Sequence, residues 1–137
     1  MESRYLYRGK RIDNREWVEG FLFMVNDVPY ILPHHKTGQP IHADNLLKTV
    51  VEVLEDTICQ CTELKDKNGK LIFENDILSG HIDVEFPEDE TRKRVVWHEN
   101  GWCTNEPGCD DYEELDDFDS ENFEVIGNKF DNPELLE

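Results

Sequence analysis

Residues 64–78 read LKDKNGKLIFENDIL: an Asn-Gly pair set among lysines, an apolar run, and an acidic step ending on Ile77 and Leu78. Asn-Gly between alternating segments is the strongest short signal for a β-hairpin, because a type I′ turn needs positive φ at both central residues. Centred on Asn68-Gly69, such a turn sets Lys67 opposite Lys70, Asp66 opposite Leu71, Lys65 opposite Ile72 and Leu64 opposite Phe73. Its open end is then apolar and its tip polar, as expected for a hairpin whose tip projects into water. The structural role accounts for the lysines without a binding site.

Working outward, the same grammar recurs. RYLYRGKR (4–11) alternates in part, with Gly9 and its charged neighbours read as a turn. EWVEGFLFMV (16–25) and PYILP (29–33) are short apolar runs separated by the loop NDVP. Trp17, Val18, Phe21, Phe23 and Val25 are expected core residues, and the spacing of the last three favours a strand. HHKTGQPIHADN (34–45) reads as a polar loop. LLKTVVEVLEDTICQCTEL (46–64) is ambiguous by periodicity, and its β-branched content tips it toward strand. HIDVEF (81–86) alternates cleanly, with Ile82, Val84 and Phe86 on one face. RKRVVWHENGWCTN (92–105) has the pattern strand, turn, strand, with Trp97 and Trp102 flanking the turn. An acidic connector at 106–122 has room for one short helix, and FEVIGNKFDNPELLE closes as a strand around 123–127 and a tail. Many short strands with tight turns predict a small barrel or roll.

Three blocks, YRGKRIDNREWVEG, TELKDKNGKLIFENDIL and FEVIGNKFDNPELLE, resemble in order the YopX-like family of phage and prophage proteins and span nearly the whole chain. The resemblance implies a C-terminal SH3-type β-roll, a phage or prophage context and no enzymatic activity that could be carried over. Glu63 and Asn75 stand where the family pattern has glycine. Asn tolerates left-handed backbone, so position 75 is expected to keep its conformation and position 63 to change it. The expected fold is mainly β: an N-terminal β portion over 1–57 and an SH3-like β-roll over 58–137 with at most short helices.

At 137 residues the chain has room for one ordinary domain or two small ones. The net charge of −18 is localised. Residues 1–57 hold nine acids and seven bases, residues 58–98 nine and six, and residues 99–137 fourteen acids against Lys129 alone. That balance argues against direct binding of nucleic acid, which needs Lys and Arg on phosphates, and against docking on anionic membrane. It fits a partner protein from host or phage, a basic one above all, and a homo-oligomer is also compatible. The opening residues are charged where a signal peptide is apolar, so a cytoplasmic location in the host cell is expected.

The candidate surface is DDYEELDDFDSE: Asp110, Asp111, Glu113, Glu114, Asp116, Asp117, Asp119 and Glu121. Tyr112, Leu115, Phe118 and Phe123 are interleaved at spacings that approximate one helical face. The surface reads either as a solvated flank that keeps the protein soluble or as an imitation of a nucleic-acid backbone. Counted from Asp117 it lacks the Gly and closing Glu of an EF-hand. Cys59, Cys61, Cys103 and Cys109, with His98, are off the usual zinc spacing and are read as reduced thiols with no metal. His34, His35 and His42 are read as an exposed loop. The three serines sit in no nucleophile elbow, and no P-loop or dinucleotide glycine pattern occurs, so no catalytic residue or cofactor is assigned.

Overall fold

The structure, a computed structural model, describes residues 5–34, 49–82 and 90–137. The chain is mainly β, with two antiparallel sheets, and the expected roll takes the form of a curled half-barrel sheet. It divides into two units, Met1–Cys61 and Thr62–Glu137.

In the first unit β1 (Leu6–Lys10), β2 (Trp17–Val25), β3 (Val28–Pro33), β4 (Val51–Glu52) and the start of β5 (Cys59–Lys65) are antiparallel neighbours in the order β4-β3-β2-β1-β5. Gly9 is not a turn: it lies inside β1 opposite Val18, and the chain reverses over 11–16 with Arg15 at φ 63°. The two positive φ values that a type I′ turn needs occur instead at Asn26-Asp27, at 50° and 66°, closing the Val25–Val28 pair. The expected loop NDVP is therefore tighter, and Val28 and Pro29 belong to β3.

The core of this unit also differs from the expected one. Leu6, Ile31, Val53, Cys59 and Cys61 are buried, Trp17, Val18 and Phe21 are half-buried, and Phe23 and Val25 are exposed. Register gives the reason. β1 pairs with β2 only as far as Phe21, so residues 22–25 form a two-stranded ribbon with β3 and have no third strand beside them among the described residues. Phe23 stacks on its cross-strand partner Tyr30 at 5.8 Å, which covers one ring of each pair but leaves the ribbon end exposed. Residues 46–64 resolve into strand-rich structure where described, with a single 3-10 turn at Glu55–Thr57.

The second unit holds the remainder of β5, then β6 (Leu71–Phe73), β7 (Asp76–Gly80), β8 (Thr91–His98), β9 (Gly101–Asn105), β10 (Glu113–Glu114), the helix α1 (Asp117–Asn122), β11 (Phe123–Asn128) and a terminal 3-10 turn at Pro133–Leu136. Its five-stranded sheet has the order β10-β9-β8-β7-β11. Ile72, Leu78, Val95, Leu115 and Phe123 form the core, with Leu64, Trp102 and Val125 packed against it. Of the strand expected at 81–86, His81 and Ile82 lie past the end of β7 and residues 83–89 are outside the described ones.

The β5–β6 hairpin exists, but its turn is not type I′. Gly69 has φ 84° and Asn68 has a negative φ, so only one central residue is left-handed. The Gly69 amide donates to the Asp66 carbonyl at 3.0 Å and the Asp66 amide to the Lys70 carbonyl at 2.8 Å. This is a three-residue loop closed by Asp66 and Lys70, a type I turn followed by a left-handed glycine, and it moves the expected register by one residue. Asp66 explains the choice. Its Oδ1 accepts from the amides of Asn68 and Lys70, both at 2.9 Å, while Oδ2 accepts from the amide of Val125 at 2.9 Å. The Lys67 amide adds a bond to the Phe123 carbonyl at 2.9 Å. The exposed tip is thus anchored to β11 by a buried carboxylate.

Position 63 overturns its expectation too. Glu63 has φ 75° and Asn75 φ 71°, so both keep a left-handed conformation. At Glu63 an L side chain tolerates the strain that the surrounding strands impose.

Candidate functional site

The acidic stretch 110–121 is built in two layers. Asp116 caps α1, its Oδ1 accepting from the amides of Phe118 at 3.1 Å and Asp119 at 3.3 Å. Asp119 returns the bond, its Oδ2 accepting from the Asp116 amide at 3.2 Å, which completes a capping box. The other oxygen of Asp119 receives the Lys93 ammonium at 2.6 Å, and both side chains are buried. Asp119 is only 2% exposed, so it is not a surface acid at all. This corrects its place among the candidates: a charge deep against the roll needs a partner, and Lys93 supplies it. Lys93 also stands 4.3 Å from the centroid of the Phe123 ring.

Asp110, Asp111, Glu113, Glu114, Asp117 and Glu121 are exposed and form the outer layer. The side-chain amide of Asn105 donates to the carbonyls of Cys109 and Asp111, at 2.8 and 2.9 Å, and ties the front of this segment to the end of β9. β10 pairs with β9, Glu113 opposite Thr104 and Glu114 opposite Cys103. The interleaved apolar residues do not share a helical face, because Tyr112 and Leu115 precede α1. Leu115 and Phe123 belong to the core, whereas Tyr112 and Phe118 remain exposed.

Between the tip of the β8–β9 hairpin and β10 lies a groove of about 470 Å³. His98, Glu99, Trp102, Cys103, Tyr112 and Glu114 line it, with Leu64 and Leu115 at its floor. The rings of His98 and Tyr112 are stacked at 3.8 Å and nearly parallel. Trp97, across the hairpin from Trp102, meets it edge-to-face at 5.0 Å and fixes its plane. Burial and then the charges of Glu114 and Glu99 push the Cys103 thiol above its ordinary value. A second, more open concavity of about 760 Å³ is lined mainly by polar groups, among them Glu90, Arg92, Glu106 and Glu137. There Arg92 already pairs with Glu90.

Cys59 and Cys61 are buried in the first unit, and Cys59 donates to the Thr57 carbonyl at 3.3 Å. Cys103 is half-buried and Cys109 exposed. Among the described residues no group of three or more His, Cys, Asp and Glu is arranged to hold a metal ion. Of the histidine loop only His34 is described, 3.8 Å from Glu19, and His35 and His42 lie outside the described residues. No helix among the described residues is long and apolar enough to cross a membrane.

Sequence reasoning found the acidic stretch but missed Lys93, Asp66 and the groove. Lys93 sits in an RKR run that reads as solvated, and the groove joins Leu64 to residues 98–103 and 112–115. A family model described as YopX protein matches residues 6–137. The crystal structure of protein EF1440 from Enterococcus faecalis is similar at 26% sequence identity and a TM-score of 0.53, over 96% of each chain. No curated protein matches.

Proposed function

The chain belongs to the YopX protein family, and on that premise we propose that it is a phage- or prophage-encoded, non-catalytic accessory protein that acts in the host cytoplasm through protein–protein contacts. The observation that carries this reading is the union of an exposed acidic layer with an aromatic groove in one short stretch of the roll. Aromatic side chains on a rigid strand pair are the usual anchors of protein interfaces, and a surrounding field of one sign selects the partner and speeds encounter. The second reading is a nucleic-acid mimic that occupies the basic groove of a host DNA-handling or defence protein, and the seven exposed carboxylates between 110 and 121 favour it. Capture from host extract on immobilised protein separates the two. The first reading expects a specific partner that an excess of duplex DNA does not displace. Displacement by DNA, with a steep loss as salt rises, supports the mimic, because exposed charges act only over a Debye length of about 8–10 Å.

A further inference from the structure

We propose that the groove between the β8–β9 hairpin and β10 is a docking site for an arginine side chain presented by a basic segment of a partner protein. The inference deepens the protein-contact reading and rests on it. Three features of the groove converge on a planar cation. The first is aromatic surface: Trp102, held edge-to-face by Trp97, and Tyr112, stacked flat on His98. Tyr112 is 43% exposed, so its ring is presented to a partner and not consumed by the core. A guanidinium stacks on such faces, with the cation attracted to the ring quadrupole.

The second feature is charge. Glu99 and Glu114 stand on the walls, and among the described residues the lining contains no lysine or arginine. Glu99 has φ 57° and lies at the hairpin tip, with Gly101 beside it adding no side chain. His98 Nε2 lies 3.7 Å from a carboxylate oxygen of Glu99. Carboxylates beside aromatic planes favour a group that both stacks and donates paired hydrogen bonds, which arginine does and lysine does not. Burial first, and then the charges of Glu114 and Glu99, push the Cys103 thiol above its ordinary value, which agrees with two carboxylates near the groove.

The third feature is size and setting. About 470 Å³ lies within the roughly 300–1,000 Å³ of ligand sites and exceeds one side chain, leaving room for the flanking backbone. The charge of residues 99–137, fourteen acids against Lys129 alone, adds a negative field that attracts a basic segment as a whole.

The probe is a short peptide in which arginines alternate with Gly and Ser, compared with citrulline and lysine versions of the same peptide. Binding is read by fluorescence anisotropy at physiological salt. The arginine peptide is expected to bind, the citrulline peptide to lose at least about tenfold, and the lysine peptide about fivefold. In the protein, Glu99→Gln with Glu114→Gln should weaken binding about tenfold and Tyr112→Leu about fivefold. Asp110→Asn, Asp111→Asn and Asp117→Asn together, outside the groove, should cost less than about twofold. In a Cys109→Ser background the peptide should protect Cys103 from a maleimide. Thermal melts confirm that each variant is folded, and the isosteric Glu114→Gln stands in should Tyr112→Leu fail to fold. Equal binding of the lysine or citrulline peptide, equal weakening by the outer acids, or unprotected Cys103 overturns the site. The host-extract capture keeps the two ideas apart. Peptide failure with a specific partner still captured overturns the groove alone, whereas capture no different from blank resin overturns the protein-contact reading itself.

Discussion

The buried Lys93–Asp119 pair makes the sharpest demand on the structure. The two side chains are 6% and 3% exposed and 2.6 Å apart, so each is the other's main compensation for lost water. Replacing one partner leaves a buried charge, which typically costs 3–5 kcal/mol. For Lys93→Met the expected loss is about 3 kcal/mol, toward the low end because methionine sulfur replaces part of the contact with the Phe123 ring. Asp119→Asn keeps an acceptor for the Asp116 amide, so the capping box survives and only the charge is removed. It should cost a similar amount. The double variant leaves no buried charge and should fall within about 1–2 kcal/mol of the wild type, giving a coupling energy of at least about 2 kcal/mol. Urea denaturation followed by tryptophan fluorescence measures all four proteins. In melting temperature each single change should lower the transition by roughly 12 °C or more, since about 1 kcal/mol shifts a domain of this size by 4–8 °C. Additivity within about 0.5 kcal/mol would refute the argument and return Asp119 to the solvated layer.

Two further substitutions test the backbone. Gly69→Val meets nothing within 4 Å but forces a β-branched residue to φ 84°, and a loss on the order of 1–2 kcal/mol is expected by thermal melt; an unchanged melting temperature would remove the left-handed turn. Glu63→Gly relieves about 1–2 kcal/mol of left-handed strain at the expense of roughly 0.5–1 kcal/mol of chain entropy. A small net gain in stability, about 0.5–1 kcal/mol, should appear in urea denaturation, and a loss would mean that Glu63 at φ 75° is held by its side chain.

The strand pattern was legible because it depends on local chemistry: alternation, β-branching and turn residues act within a few positions. The Glu99-Asn100 reversal between Trp97 and Trp102 is of that kind, and the structure places those two tryptophans directly opposite each other. What failed was anything decided by a distant partner. Asn68-Gly69 carried the stronger turn signal and Asn26-Asp27 the weaker, yet the two positive φ values went to the second pair. The difference is Asp66, whose carboxylate offers Asn68 and Lys70 a local acceptor and reaches Val125, fifty-nine residues on. Phe23 and Val25 have the composition of core residues, but only the length of β1 determines whether a third strand covers them. The Glu63 conformation was misjudged for the same reason. Intrinsic preference opposed it, and the strand pairing on either side of position 63 overrode the preference.

The same distinction governs the acidic stretch. A count of carboxylates treats 110–121 as one object, and the structure divides it by what each oxygen meets. Asp116 and Asp119 hold α1 in place, one by capping and one through Lys93, and α1 delivers Phe123 to the core. Glu114 faces the groove beside Trp102 and Tyr112, while Asp110, Asp111, Asp117 and Glu121 are exposed outside it. Wholesale neutralisation therefore confounds three effects: an uncapped helix with an orphaned lysine, an altered groove, and a weaker long-range field. A loss of binding after such a change would say nothing of mimicry, since unfolding of the segment alone could produce it. Charge changes that spare Asp116 and Asp119 isolate the field from the fold, and those that touch only Glu99 and Glu114 isolate the groove from the field. The acids that make the surface conspicuous in the sequence are thus not a uniform set, and Asp119, whose loss should cost the most stability, is the one least able to meet a partner.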